Sequence, residues 1–269
     1  MSPTHSALYR RPVALDPALH RDRKVQPLTD FTVAAGLHAV FITAAEFPQA
    51  GLEFPLLFVA TGEHDLAGRA AMSTIALLGI SPGENLQLDG SRWISRYIPA
   101  YIRRYPFAIA SKAASAPAAV GLDVLVDDSW PGFSEAAGEP LFGEADAPAP
   151  ALVRAMDFLQ RFELEAERTR AFCARVVALD VLKEMSADAT LPDGRKLSVD
   201  GFHAIDEDKL HALADSVVLE LYRTGVLMLM QLHLVSLANI RHLVNRKVEL
   251  DAASGRPDLS ARRSLRNDS

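Results

Sequence analysis

The spacing of apolar residues changes near residue 150, and this change limits the folds that the chain can adopt. Between Val25 and about Asp128, apolar residues form short runs broken by glycine, proline and asparagine: HAVFIT, FPLLFVAT, TIALLGI, NLQLD, PFAIA and GLDVLVDD. Runs of this length between turn residues are typical of β-strands. Beyond the change, apolar side chains recur every three or four residues, which is helical spacing, at Leu152, Met156, Leu159 and Phe162. The pattern predicts an α+β fold: a mixed, largely antiparallel sheet from the N-terminal half, packed by helices mainly from the C-terminal half.

Residues 1–250 are predicted to form one domain. A chain of 269 residues is long enough to bury an ample core, and the apolar segment near its C-terminus is expected to return to the sheet. The stretch 130–150 is rich in proline, glycine, alanine and glutamate, so a subdomain boundary is placed there. Residues 251–269 are polar and rich in arginine, which predicts a disordered tail.

The second half of the chain carries further local signals. Residues 151–184 fit one long broken helix or two short ones. The sequence from Ile205 to Gly225 predicts one helix, with Asp206 as its N-cap and the glycine at its end. The apolar run that follows, VLMLMQLHLVSL, fits a buried strand or a buried helix. The pair Asp193-Gly194 predicts a hairpin turn.

Charge and composition argue against several classes of protein. The net charge of -6 and the isoelectric point near 5.8 disfavour bulk attraction to nucleic acid or anionic lipid. The N-terminus lacks the apolar run of a signal peptide. The longest uncharged apolar run, Thr224 to Ile240, is shorter than the ~20 residues of a spanning helix. The single cysteine, Cys173, lies on a helical apolar stripe and is predicted to be core. We expect a cytoplasmic protein with no membrane span, no nucleic-acid partner and no cofactor.

Residues 93–107, WISRYIPAYIRRYPF, combine five aromatic side chains with three arginines and no acid. We call this stretch the aromatic–arginine segment. One helical turn is expected to end near Ile98 and another to begin at Pro99. The segment is either a binding platform for a flat or anionic ligand or an internal wedge between sheet and helices. Its candidate ligand-binding residues are Trp93, Arg96, Tyr97, Tyr101, Arg103, Arg104 and Tyr105.

Motifs spaced along the chain resemble those of one bacterial family. The aromatic–arginine segment looks like the W-x-x-x-Y-I-P-A-Y-I-R-R-Y-P-F signature of the SapC family, named for a surface-layer-associated protein. Five further motifs agree in order: ALHRDRKV, AAEFPQAGLEFPLLF, LFGEAD, GFHAIDEDKL and LHLVSLANIRHL. The resemblance therefore covers nearly the whole chain. It does not extend to the peptide-transporter permease of similar name, whose several membrane spans are absent here.

The resemblance implies a soluble protein of about this length. Family members are often encoded near outer-membrane receptors, flavin-dependent halogenase-like enzymes and cupin-like proteins, which suggests that they handle a small molecule or a peptide. The signature also places the segment EFPQAGLEF in the same small domain as the aromatic–arginine segment. We therefore expect a carboxylate of Glu46 or Glu53 near Arg103 or Arg104. A surface-layer association stays compatible with the sequence.

Histidines supply two other candidate sites. His20 and Asp22 have the spacing of the first two ligands of a 2-His-1-carboxylate iron site, with His203 or His233 as the third ligand. A surface turn or a salt link explains the same pair without a metal.

A second group, His233, Ser236 and Asn239, lies at intervals of three residues. On a helix these side chains share one side, where they fit a nucleophile, base and orienting group, or a buried polar network that fixes packing. We find no nucleophile elbow, phosphate loop, dinucleotide fingerprint or zinc spacing in the sequence.

Two functions fit these observations. The first is an accessory or binding protein that recognises a peptide, a carboxylated metabolite or a partner protein through the aromatic–arginine segment. The second is an enzyme that modifies a small molecule or peptide, for example a metal-dependent oxygenase. Assembly as a homo-oligomer is compatible with both.

Overall fold

The structure is a computed structural model that describes residues 8–64, 67–110, 124–190 and 196–253. The predicted turn at Asp193-Gly194 and residues 254–269 of the predicted tail lie outside this part of the chain, while residues 251–253 of that tail are helical. The strands are β1 Pro12–Ala14, β2 Lys24–Val25, β3 Ala39–Phe41, β4 Leu56–His64, β5 Ala70–Leu77, β6 Leu88–Asp89, β7 Arg92–Trp93, β8 Phe107–Ile109, β9 Val124–Asp127, β10 Phe133–Ser134, β11 Glu139–Pro140, β12 Leu182–Thr190 and β13 Lys196–Ile205. The α-helices are α1 Pro17–His20, α2 Phe47–Ala50, α3 Ala100–Arg103, α4 Pro150–Ala178, α5 Glu207–His211, α6 Asp215–Arg223, α7 Val226–Ser236 and α8 Asn239–Ala253.

The main sheet has five strands in the order β12-β13-β4-β5-β3, and every neighbouring pair is antiparallel. The α+β prediction is confirmed, with most helices in the second half of the chain. Two strands of this sheet, β12 and β13, come from the second half, where the sequence analysis placed mainly helices. They flank the hairpin turn predicted at Asp193-Gly194 and pair antiparallel from Leu182 opposite Ile205 to Thr190 opposite Lys196, so they extend well beyond the small hairpin that the sequence indicated.

The described residues form three smaller sheets in addition to the main one. Strands β1, β9 and β8 form one, β10, β2 and β11 form a second, and β6 pairs with β7. The buried carboxylate of Asp127 ties the first sheet to the N-terminal chain, since it accepts hydrogen bonds from the backbone amides of Arg10 and Arg11. Burial acts to raise the pKa of Asp127, but hydrogen bonds from Ser129 and these amides outweigh burial and lower the pKa.

Helix α4 is one continuous helix that packs against the main sheet. It begins at Pro150, a position where proline costs no helical hydrogen bond. Its buried face includes Leu159, Phe162 and Phe172, and the Phe172 ring meets Phe58 of β4 with ring centroids 5.9 Å apart. The sequence expectation of a broken helix or two short helices is wrong, and the chain beyond Leu179 turns into β12 instead of continuing the helix.

The C-terminal quarter forms the four helices α5 to α8. Asp206 caps α5 as predicted, accepting hydrogen bonds from the amides of Asp208 and Lys209. The helix predicted from Ile205 to Gly225 is two helices, because the chain leaves the helical path between α5 and α6. Gly225 has φ 77°, a left-handed conformation that glycine adopts without strain, and it separates α6 from α7.

Helix α7 settles the choice that the apolar run left open. It is a helix, and it packs on β13 and β4 through one face that buries Met230, His233 and Ser236. Its other face leaves Met228 and Val235 exposed. Among the described residues, the helical run 226–253 is long and apolar enough to cross a membrane by length and composition, and 22% of its most apolar stretch is buried. The expectation of a buried core segment therefore applies to one face only.

Candidate functional site

The aromatic–arginine segment begins at the last residue of strand β7, contains helix α3 and ends at Phe107, the first residue of β8. Residues 94–98 are not helical, so the helical turn expected before Ile98 is wrong. The turn expected after Pro99 is correct, since α3 starts at Ala100. The Trp93 indole Nε1 donates to the Tyr97 carbonyl oxygen at 2.8 Å. This bond closes the non-helical loop and directs the chain into α3.

Glu46 fixes the position of α3. Its carboxylate is buried, with Oε1 accepting from the Ala100 amide at 2.7 Å and from the Tyr97 hydroxyl at 2.8 Å. Its Oε2 accepts from the Thr43 amide and hydroxyl at 2.9 and 2.8 Å. One carboxylate thus holds the start of α3 against the capped turn before α2. Four hydrogen bonds satisfy a charge that would otherwise be costly to bury.

The two adjacent arginines at the end of α3 have opposite environments. Arg103 is exposed, and its Nε donates to the Ile98 carbonyl oxygen at 2.9 Å while its guanidinium lies 5.4 Å from the Phe158 ring centroid. The Arg103 Nη2 also donates to the Tyr97 hydroxyl at 3.3 Å. The carboxylate expected near these arginines is that of Glu46. It does not form an ion pair with Arg103, but the Tyr97 hydroxyl bridges the two side chains by donating to Glu46 and accepting from Arg103.

Arg104 points inward and is 5% exposed. Its guanidinium carbon lies 4.3 Å from the ring centroid of Tyr101, 4.9 Å from that of Phe162 and 5.8 Å from that of Tyr9. Among the described residues it has no ion pair, and its Nε is enclosed without an acceptor. Cation–π contacts offset part of the desolvation cost, but a buried guanidinium without a carboxylate still costs several kcal/mol. Arg104 is therefore a buried positive charge with no carboxylate partner in the part of the chain that the structure describes.

A cavity of about 340 Å³ lies beside this charge, between the main sheet and α4. Strands β3, β4 and β5 line one side and α4 lines the other. Tyr101 of α3 and Arg104, which directly follows α3, complete the lining. The α4 side chains in the lining follow one helix face, at Phe162, Ala166, Thr169 and Cys173. Phe162 and Cys173 are eleven helical steps apart, which corresponds to roughly 16 Å, so the cavity is elongated along α4.

Eight of the sixteen residues that line the cavity are polar or charged: Thr61, Glu63, Ser73, Tyr101, Arg104, Glu163, Thr169 and Arg170. The Thr169 hydroxyl donates to the Glu165 carbonyl oxygen at 2.6 Å and accepts from the Ala44 amide at 2.8 Å. Burial raises the pKa of the Cys173 thiol to about 12, so the thiol is neutral and weakly nucleophilic. Burial also raises the pKa of Tyr101, against the opposing effect of Arg104. Arg104 is the buried charged residue of the lining, and it forms no ion pair with any described residue.

Two of the predicted ligand-binding residues, Tyr101 and Arg104, line this cavity. Trp93 and Tyr105 are buried elsewhere in the core, where the Tyr105 hydroxyl donates to Asp127 at 3.1 Å. Arg96 is exposed. The segment is thus partly a wedge and partly a wall of the cavity. Sequence reasoning missed the α4 wall, although its helical apolar stripe was recognised, because nothing local indicates which part of a stripe faces a gap.

The group His233, Ser236 and Asn239 holds α7 to the chain around the start of β4. His233 Nδ1 donates to the Leu56 carbonyl oxygen at 2.7 Å, and Nε2 accepts from the Ile205 amide at 3.0 Å. The Ser236 hydroxyl accepts from the Leu56 amide at 3.0 Å, and the Asn239 amide donates to the Gly51 carbonyl oxygen at 2.8 Å. Each of the three side chains is hydrogen-bonded to backbone groups, as expected for a buried polar network that fixes packing.

His233 predicts a loss of stability in mild acid. Burial lowers its pKa to about 4, whereas an unfolded histidine titrates near 6.5. Between pH 6.5 and pH 4, His233 is protonated in the unfolded chain but neutral in the folded chain. The free energy of unfolding therefore decreases as the pH is lowered through this range. We expect the free energy of unfolding to fall by about 2 kcal/mol between pH 6.5 and 5. Urea unfolding at several pH values measures this slope. His233→Gln should flatten it, and an unchanged slope in that variant would contradict the assignment.

The residues proposed for an iron site do not form one. The His20 ring packs 5.7 Å from the Phe133 ring, and its Nδ1 lies 3.0 Å from both the amide nitrogen and the carbonyl oxygen of Asp16. Both ring nitrogens of His233 bind backbone, and Asp22 is exposed. Across residues 8–64, 67–110, 124–190 and 196–253, no group of three or more His, Cys, Asp or Glu residues is placed to hold a metal ion.

Comparison with known proteins gives one match and two negative results. The family model described as SapC matches residues 15–243. No curated protein and no solved structure matches the chain. The matched region contains the aromatic–arginine segment, Glu46 and the cavity-lining part of α4. The chain belongs to the SapC family.

Proposed function

We propose that this protein is a binding protein that takes a carboxylate-bearing small molecule or peptide end into the cavity between the main sheet and α4. The observation that carries the proposal is Arg104, a buried guanidinium with no ion pair among the described residues, at the wall of a cavity of about 340 Å³. A planar guanidinium presents paired N–H donors that match the two oxygens of a carboxylate.

The remaining walls suit the organic part of such a ligand. Val59, Met72, Ile75 and the Phe162 ring supply apolar surface. A cavity of this volume lies at the small end of the range for sites that bind organic ligands. An apolar body would be buried along α4 while the carboxylate meets Arg104. The charge fixes orientation, and the apolar walls provide much of the binding free energy.

The proposal also explains why the chain retains a costly residue. Buried arginines are normally paired, and an unpaired one lowers stability. Residues that reduce stability are often kept because they bind a ligand or act on one. The neighbouring rings of Tyr101 and Phe162 hold the guanidinium in place before the ligand arrives, which reduces the ordering cost of binding.

Calorimetric titration of the full chain with octanoate and with octanamide tests the proposal. The two molecules have nearly the same size and differ in charge. Because hydrogen bonds between charged partners contribute about 1.5–3 kcal/mol, octanoate should bind at least tenfold more tightly than octanamide. Equal binding of the two compounds, or binding of neither, would overturn the proposal.

A further inference from the structure

The mouth of the cavity carries charges opposite to that of Arg104. Glu63 of β4 is exposed at the lining, and Glu163 of α4 is partly buried there. Neither glutamate forms an ion pair with any described residue, whereas Glu165 and Glu167 of α4 pair with Arg168 and Arg170. Arg170, the other charged lining residue, lies 3.8 Å from Glu167, which offsets its charge.

Among the charged lining residues, buried Arg104 and the more exposed Glu63 and Glu163 therefore have no ion pair with any described residue, whereas Arg170 has one. A simple carboxylate would neutralise Arg104 and leave both glutamates without a partner. A ligand that carries a carboxylate at one end and a protonated amine at the other would pair with Arg104 and with the two glutamates. Glu163 directly follows Phe162, whose ring lies 4.9 Å from the Arg104 guanidinium carbon. Arg104 and the two glutamates line the same cavity, so one ligand can contact all three.

We infer that the ligand is a zwitterion, with a carboxylate at Arg104, an apolar middle section along α4 and a protonated amine between Glu63 and Glu163. Free amino acids with extended side chains, ω-amino acids and short peptides belong to this class. The inference rests on the proposed function and goes beyond it, because it assigns Glu63 and Glu163 as residues that determine specificity. Arg104 would favour ligands that carry a carboxylate, and the two glutamates would favour ligands that also carry a protonated amine.

Matched pairs of ligands test this inference separately from the proposed function. Hexanoate is compared with 6-aminohexanoate, and octanoate with 8-aminooctanoate, by calorimetric titration of the full chain. Because an ion pair near solvent contributes up to about 1 kcal/mol, the better-fitting amino acid should bind about threefold to fivefold more tightly than its plain acid. The preference should shrink as salt rises, since the rim is open to solvent.

Variants assign the preference to the two glutamates. The double variant Glu63→Gln/Glu163→Gln should bind amino and plain acids equally, while Glu165→Gln, on the same helix but outside the lining, should keep the preference. If plain acids bind and the amine adds nothing at either chain length, the zwitterion inference fails and the proposed function stands. If no carboxylate binds, both fail.

Discussion

Replacing Arg104 with methionine is expected to abolish carboxylate binding while leaving the fold intact. The substitution removes the guanidinium that would donate two charge-assisted hydrogen bonds to the ligand, so affinity for octanoate should fall at least about 100-fold. The free energy of unfolding should change by less than about 1 kcal/mol, because the lost cation–π contacts and the relieved desolvation penalty oppose each other. Calorimetric titration and urea unfolding measure the two quantities.

The adjacent residue provides the control. Arg103→Met removes an exposed guanidinium that lies outside the cavity lining and should leave octanoate affinity unchanged. Arg104→Lys adds an intermediate case, because it keeps the charge but loses the planar fork and should weaken binding about tenfold. An Arg104→Met protein that binds octanoate as well as the unmodified chain would refute the role of this residue. If both Arg104 variants unfold, Arg104 is a structural wedge.

Of the substitutions proposed for this protein, Glu46→Ala is expected to lower the free energy of unfolding the most. The buried amides of Thr43 and Ala100 and the hydroxyls of Thr43 and Tyr97 would lose their acceptor. Each buried donor left without an acceptor costs about 1–3 kcal/mol, and some will find water, so the free energy of unfolding should fall by about 3–5 kcal/mol. Since Ala100 begins α3, affinity for octanoate should also fall.

Glu53 is the matched control for this experiment. It lies in the same EFPQAGLEF segment, is partly exposed and has no side-chain hydrogen bond to any described residue. Glu53→Ala should therefore change the free energy of unfolding by less than about 0.5 kcal/mol. Thermal and urea unfolding of both variants measure the difference. Equal stability of the two proteins would show that the Glu46 hydrogen bonds contribute no net stability.

The fold was predictable from sequence where the signal is local. The apolar runs of β4 and β5, the Asp206 cap and the helix start after Pro99 follow from side-chain spacing and backbone preference. Strands β12 and β13 were predicted only as a small hairpin around Asp193-Gly194. Their full length was not predicted, because it depends on their pairing with each other and with β4, which is a property of distant segments. The break between α5 and α6 was missed because the apolar stripe continues through it.

The candidate site was also predictable from sequence only in its local features. The sequence indicated Arg103 and Arg104 together, and their composition alone could not assign one to solvent and the other to the interior. That difference depends on the orientation of α3, which Glu46 fixes across more than fifty residues of chain. The cavity walls formed by Thr169 and Cys173 depend on the distance between α4 and β4. Local pattern carries no information about such gaps.

A crystal structure of the full chain with bound octanoate tests the central claim most directly. The expected density places the carboxylate in the cavity, with its oxygens about 2.7–2.9 Å from the guanidinium nitrogens of Arg104, and the alkyl chain against Phe162 and Ala166 of α4. Density for octanoate at another site, or an Arg104 side chain paired with a carboxylate of the protein and a closed cavity, would contradict it.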